Sequence, residues 1–134
     1  MASIHVPQRN LREDYRLKQR ERIDASPFIS KKFPRLKALR VTLEFFDAAG
    51  STKHSEMKCK VNVEHAKSAL WYGCPGVECA CGDFDLSEAL AAAVGGRRKV
   101  ATGEARCPGT RKRGERGPVA CGTLLRYKLN LDYD

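Results

Sequence analysis

Apolar side chains occupy every second position in three stretches of the chain, which is the pattern of strands with one buried face. The three sets are Leu39, Val41, Leu43 and Phe45; Met57, Cys59, Val61 and Val63; and Leu125, Tyr127, Leu129, Leu131 and Tyr133. A polar turn with a glycine, residues 47–51, joins the first two stretches and predicts an antiparallel hairpin. We expect the third stretch to pair with one strand of this hairpin and to complete a sheet.

A fourth stretch has helical spacing instead. Its apolar residues are Leu86, Ala89, Leu90, Ala93 and Val94. Asp85 and Glu88 have the spacing of a capping box, and Gly95 with Gly96 predicts the end of the helix. A further strand is expected over residues 99–106. Together these patterns predict an α+β fold with an antiparallel sheet and one short helix at about 86–94.

The first 35 residues have a different composition. Between residues 10 and 24 charged helix formers dominate, and large apolar residues such as Tyr15 and Ile23 are few. Such a thin apolar face gives a helix little surface to bury. We therefore expect a basic N-terminal arm over residues 1–35, partly helical or disordered, and a single α+β domain over residues 36–134.

Length and composition restrict the class of protein. A chain of 134 residues with 42% hydrophobic residues suits one domain with a modest core. There is no run of roughly 18–20 apolar residues as in a membrane span, and the N-terminus lacks the apolar segment of a secretory signal. We expect a cytoplasmic protein with no membrane partner. Since thiols stay reduced in that compartment, its six cysteines are expected to be metal ligands or core thiols before disulfides.

Five of the cysteines fall into two clusters with a repeated local sequence. Each cluster opens with Cys-Pro-Gly, at Cys74 and Cys107, and each closes with Ala-Cys-Gly, at Cys81 and Cys121. Thiolates are soft ligands that suit zinc, and a structural zinc takes four ligands in a tetrahedron. This predicts one structural Zn²⁺ bound by Cys74, Cys79, Cys107 and Cys121, with Cys81 as the alternative to Cys79.

Spacing favours Cys79 over Cys81 as the fourth ligand. Four residues separate Cys74 from Cys79, within the usual spacing of two to four residues in structural zinc sites. Six residues separate Cys74 from Cys81, but a glycine follows Cys81. Cys59 lies on the apolar side of a predicted strand and is expected to be a core thiol.

The pairs Cys74-Pro75, Cys107-Pro108 and Cys121-Gly122 resemble the knuckles of a zinc ribbon of the rubredoxin-knuckle type, over roughly residues 71–128. The zinc-binding half of the domain would then be residues 71–134. The chain departs from the usual ribbon in its thirteen-residue loop between Cys107 and Cys121. A site with four thiolates leaves no coordination position for a reactive water, so an enzyme is the less favoured class.

Charge is distributed in blocks, and it suggests a partner. The net charge is +9, with eleven basic against four acidic residues in 9–40 and ten against two in 97–128. Such blocks attract polyanions, which suggests nucleic acid or a nucleoprotein complex as a partner; the alternative is a solvated surface that keeps the protein soluble. The aromatic residues just before the first cysteine cluster, Trp71 and Tyr72, would stack on bases or pack against the metal site. The candidate nucleic-acid-binding residues are Arg97, Arg98, Lys99, Arg111, Lys112, Arg113 and Arg116.

The competing hypothesis is a protein–protein adaptor whose arm, residues 1–35, folds on a partner. The mixed charge of the arm and its segment Pro27-Phe28-Ile29 suit folding coupled to binding. A redox role for Cys79 and Cys81 is a weaker alternative, because metal ligation explains these thiols more simply.

Overall fold

A computed structural model describes residues 11–75, 79, 82–112 and 118–134 of the protein, with a four-stranded antiparallel sheet at its centre. In chain order the elements are α1 (Leu11–Ala25), α2 (Ile29–Lys32), β1 (Leu36–Phe46), β2 (Lys53–Val61), β3 (Trp71–Gly73), β4 (Asp83–Asp85), α3 (Ser87–Gly95), β5 (Val100–Arg106), β6 (Thr110–Lys112), β7 (Pro118–Ala120) and β8 (Leu124–Tyr133). The α+β fold predicted from the sequence is confirmed.

The large sheet has the strand order β2-β1-β8-β5. The predicted hairpin is β1 paired with β2, and the last strand, β8, lies between β1 and β5. Val41 of β1 sits opposite Cys59 on one side and Leu129 on the other. The alternation seen in the sequence therefore places three apolar rows on one face of the sheet.

That apolar face carries the core. From the sheet it contains Leu39, Val41, Leu43, Phe45, Leu125, Leu129 and Leu131, and from the covering segments Ile29, Leu70, Phe84, Leu86, Leu90 and Ala93, all buried. The rings of Phe45 and Phe84 meet at a centroid distance of 5.7 Å. Each fully buried side chain of this size contributes about 1.5–3 kcal/mol relative to exposure. Met57, predicted to share this face, is 41% exposed, because it lies on the edge strand β2.

The N-terminus of helix α3 is capped differently from the sequence prediction. The capping box does not form: Leu86 is the N-cap residue, and the Asp85 carboxylate accepts a hydrogen bond of 2.9 Å from the N–H of Ser87. The Ser87 hydroxyl instead accepts the N–H of Leu70 at 2.9 Å, which ties the helix to the segment before β3. The predicted short helix is otherwise confirmed within a residue at each end.

Part of the stretch 1–35 belongs to the core. Ile29 is fully buried, and its N–H donates to the carbonyl oxygen of Ala66 at 2.9 Å. Helix α1, in contrast, has one half-buried face formed by Tyr15, Gln19 and Ile23. Among the described residues, no helix is long and apolar enough to cross a lipid bilayer.

Candidate metal centre

Two short hairpins bring four cysteines together. Cys74 and Cys79 lie in the connection between β3 and β4, while Cys107 and Cys121 flank the hairpin of β6 and β7. The four Sγ atoms all lie within 4.8 Å of one another. Two segments that are distant in the chain thus meet at one point, as two ligand pairs on two turns would.

The sulfur separations fit a metal ion. Cys74 and Cys121 have their Sγ atoms 3.7 Å apart, and Cys79 and Cys107 have theirs 3.5 Å apart. A tetrahedral zinc with Zn–S bonds of about 2.3 Å separates its sulfurs by about 3.8 Å, whereas a disulfide needs about 2.05 Å. The four cysteines are free thiols arranged as ligands, and they can hold a metal ion.

Backbone hydrogen bonds close the second turn, which is formed by the segments around Cys107 and Cys121. The N–H of Cys107 donates to the carbonyl oxygen of Thr123, and the N–H of Cys121 donates to that of Gly109, each at 2.9 Å. The N–H of Gly109 points at the Sγ atom of Cys107 at 3.3 Å. Such N–H···S bonds stabilise a thiolate and fix its direction.

Two glycines allow the turns to approach the sulfurs and the sheet. A β-carbon on Gly82 would overlap the sulfurs of Cys79 and Cys107, so the backbone there has no room for a side chain. Gly122 has φ +65, a left-handed conformation that glycine adopts without strain. Arg106 holds this second turn against the β1–β2 turn, since its Nη1 atom donates to the carbonyl oxygens of Ala48 at 2.6 Å and Gly122 at 3.1 Å.

Burial and hydrogen bonding give the thiols of the cluster different pKa values. Burial raises the pKa of Cys79 to about 12 and also raises the pKa of Cys107. Burial acts against ionisation of Cys121 too, but hydrogen bonds from the hydroxyl and N–H of Thr123 outweigh it and lower that pKa to about 7. At neutral pH the metal-free cluster therefore keeps protons on Cys79 and Cys107, which a bound metal must displace.

Of the candidate ligands, Cys74, Cys79, Cys107 and Cys121 are the residues that the structure brings together. Cys81 lies outside the described residues, so its exchange for Cys79 stays a prediction. Cys59 stands apart on β2 and is half-buried. No sequence pattern identified Thr123 as a partner of the cysteine cluster. The one available signal was its position two residues after Cys121, in the segment Cys121-Gly122-Thr123.

The candidate nucleic-acid-binding residues fall into two separate groups. Arg97, Arg98 and Lys99 are exposed between α3 and β5, at the end of β5 remote from Cys107. Arg111 and Lys112 lie on β6, beyond Cys107. Strand β5 has seven residues, roughly 23 Å in length, and keeps the groups apart. Their role in binding nucleic acid stays a prediction.

The remaining members of that set, Arg113 and Arg116, lie outside the described residues. The antiparallel hairpin of β6 and β7, here called the basic hairpin because β6 carries Arg111 and Lys112, has Cys107 before β6 and Cys121 after β7. The cysteine cluster therefore stands at the foot of the basic hairpin.

Trp71 and Tyr72 are half-buried, and they lie beside a cleft of about 410 Å³ between α1 and the β3–β4 hairpin. The hydroxyl of Tyr15 donates to the carboxylate of Asp83 across this cleft, although burial raises the pKa of Asp83 overall. The two aromatic residues thus line the same cleft as Cys74 and Cys79, and the two roles expected for them stay predictions.

Comparisons with protein-family models, with curated proteins and with solved structures find no match to the chain.

Proposed function

We propose that the protein is a non-catalytic binding module, stabilised by one structural Zn²⁺, that associates with nucleic acid or a nucleoprotein complex. The observation that carries the proposal is the position of four convergent thiols at the foot of a basic hairpin. We place the protein in the cytoplasm, where these thiols stay reduced.

Zinc suits the cluster because of its donor set and geometry. Four sulfur ligands favour zinc among common divalent metals, and two of the sulfur separations, 3.5 and 3.7 Å, are close to a tetrahedral edge. Bound there, the ion would join the β3–β4 hairpin to the segment that follows β5. In peptide zinc fingers such a site contributes an apparent free energy of about 10–16 kcal/mol, which is as much as the whole stability of many domains.

The same coordination argues against catalysis. Four thiolates complete the tetrahedron and leave no position for a water or a substrate. The amides and the hydroxyl around the sulfurs, from Gly109 and Thr123, would stabilise negative charge on the ligands, and they serve the metal. The proposed role of the ion is to hold the fold.

The basic hairpin supplies the proposed interaction with nucleic acid. Arg111 and Lys112 lie on β6, and Arg113 and Arg116 follow in the sequence before β7. Because the hairpin is anchored at Cys107 and Cys121, it loses less conformational freedom on binding than a free loop would. Closely spaced cations on a fixed base suit interactions with successive phosphates.

A salt titration tests this role. Replacing Arg111, Lys112, Arg113 and Arg116 together with Gln should weaken binding to oligonucleotides of any sequence. The slope of log affinity against log salt should become shallower by roughly 0.7–0.9 for each phosphate that the variant no longer neutralises. The fold should survive, since none of the four is a ligand.

A charge-matched variant provides the control. Lys37, Arg40, Lys60 and Lys128 are exposed on the large sheet and make no ion pair within the described part of the chain. Replacing these four with Gln removes the same charge but should leave most of the affinity. Equal losses of affinity in the two variants would show that net charge, and not the hairpin, drives binding.

A protein adaptor is the second candidate, carried by α1. This helix exposes 56% of Leu17 outside its half-buried face, so an apolar residue is available to a partner. The segment around Ile29, in contrast, already binds within the chain. If the wild-type protein binds no oligonucleotide at low salt, the adaptor function becomes the leading proposal, and protein binding through residues 1–35 should resist salt.

A further inference from the structure

Arg97 occupies a strained backbone position at the end of α3. Its φ is +51, the one positive φ outside glycine among the described residues. The N–H of Arg97 donates to the carbonyl oxygen of Val94 at 3.0 Å, and the N–H of Arg98 donates to that of Ala93 at 2.9 Å. These are the two bonds of a Schellman motif, whose left-handed position is usually glycine. Here an arginine stands in that position although Gly96 directly precedes it.

The side chain of Arg97 borders a cleft of about 270 Å³. The lining residues are Lys32, Phe33, Pro34, Arg35, Val94, Arg97 and Tyr133. The three cations come from separate places in the chain: Lys32 ends α2, Arg35 precedes β1 and Arg97 follows α3. All three are exposed, and none takes part in an ion pair within the described residues.

The floor of this cleft is apolar and fixed. Phe33 and Val94 are half-buried and pack against the core. The hydroxyl of Tyr133 donates to the carbonyl oxygen of Arg98 at 2.9 Å and lies 3.3 Å from that of Ala93, so its ring is held against the end of α3. The ammonium group of Lys32 lies 5.6 Å from the centre of the Phe33 ring. The cleft thus combines two aromatic rings with three cations.

These features indicate a ligand that is both anionic and aromatic. Cations around a cleft favour a phosphate group, and aromatic rings favour a base on which to stack. The volume is slightly below the roughly 300–1,000 Å³ of drug-sized sites, which leaves room for one base. Residues held in a left-handed conformation without being glycine concentrate at functional sites, and Arg97 is such a residue at the edge of a cleft.

We propose that this cleft binds one nucleotide unit of a single-stranded nucleic acid, with its phosphate at Lys32, Arg35 and Arg97 and its base against Phe33 and Tyr133. The inference rests on the proposed association with nucleic acid and adds a second binding site, separated from the basic hairpin by the length of β5. Lys32 and Arg35 are then binding residues within a stretch that the sequence assigned to an arm.

A titration of the full zinc-loaded chain with adenosine 5′-monophosphate, followed by amide chemical shifts, tests the inference. The shifts should concentrate on Phe33, Arg35, Arg97 and Tyr133. Adenosine and inorganic phosphate, titrated separately, should each bind more weakly than the nucleotide, because each meets half of the site. Shifts confined to the basic hairpin, or phosphate binding as tight as the nucleotide, would overturn it.

Arg97→Gly separates binding from folding. The substitution removes a cation and also relieves the left-handed strain, so the variant should melt at a higher temperature than wild type. Its affinity for the nucleotide should nevertheless fall about tenfold, the effect of one charged hydrogen bond. Unchanged affinity in this stable variant would contradict the proposal.

A hairpin variant distinguishes this inference from the proposed function. Replacing Arg111 and Lys112 with Gln should weaken oligonucleotide binding but leave the affinity for the mononucleotide unchanged. If oligonucleotide binding depends on the hairpin while Arg97→Gly has no effect on the mononucleotide, the cleft is rejected and the proposed function stands. If the cleft binds the mononucleotide and the hairpin variant binds oligonucleotides normally, the role of the hairpin is rejected instead.

Discussion

Gly82 lies against the sulfur of Cys107, with no space between them for even a methyl group. Its carbonyl oxygen also accepts a hydrogen bond of 3.2 Å from the N–H of Cys74. The residue just before β4 is therefore hydrogen-bonded to one candidate ligand, Cys74, and packed against another, Cys107. Glycine next to a ligand lets the backbone turn tightly. The structure adds a second reason, which is that the backbone must pass beside the sulfur cluster.

Gly82→Ala should therefore disrupt the cluster. An added methyl would push apart the sulfurs of Cys79 and Cys107, and overpacking of this kind typically costs about 1–3 kcal/mol. Zinc affinity, measured by competition with a chelator, should fall by about tenfold or more. Gly73→Ala is the matched control in the same hairpin, because a β-carbon there would meet nothing within 4 Å. Equal affinities in the two variants would refute this packing argument.

Thr123→Val should weaken zinc binding without creating a cavity in the protein. Thr123 is buried, and its hydroxyl oxygen lies 3.1 Å from the Sγ atom of Cys121. Without that donor the pKa of Cys121 should rise above about 7, and zinc affinity should fall by roughly 10–100-fold, as for other hydrogen-bond partners of metal ligands. Thr102→Val, on the exposed side of β5, is the control. An affinity equal to that of the control would exclude a role for the hydroxyl.

Zinc binding should release protons. The pKa of Cys79 is about 12 and that of Cys107 is also raised, so both are protonated in the metal-free protein near pH 7. Since the ion binds thiolates, at least these two protons must leave, and affinity should increase as the pH rises. Calorimetry in buffers with different ionisation enthalpies counts the protons. A binding heat that does not depend on the buffer would contradict the expected ionisation.

Substitutions can decide whether Cys79 or Cys81 is the fourth zinc ligand. Cys79→Ser should remove most of the zinc, because the sulfur of Cys79 lies 3.5 Å from that of Cys107 within the cluster. Cys81→Ser should retain one zinc per chain, and so should Cys59→Ala, which stands outside the cluster. Metal analysis of the three purified variants decides the matter. The reverse result for Cys79 and Cys81 would make Cys81 the fourth ligand.

The elements that the sequence predicted best are those in which one strong period runs over many residues. Strands β1 and β8 and helix α3 each repeat apolar residues at a regular spacing, and burial follows the same period. The order of the strands depends on pairing between distant segments. For this reason the place of β8 between β1 and β5 could not be derived from local patterns.

Other features depend on single residues in unpatterned segments. Ile29 is buried because residues 63–66 offer backbone hydrogen bonds to its segment, and no periodicity marks either stretch. The cysteines were found because their chemistry and spacing are distinctive. The left-handed conformation of Arg97 belongs to the closing turn of α3, and the fit of Gly82 arises from tertiary contacts; an arginine or a glycine in a sequence reveals neither.

The central claim is that four cysteines hold one zinc ion. Metal analysis of protein purified without added metal, combined with X-ray absorption at the zinc edge, tests it most directly. The account predicts one zinc per chain with four sulfur neighbours at about 2.3 Å. Folded protein without zinc, or a bound zinc with nitrogen or oxygen among its ligands, would contradict it.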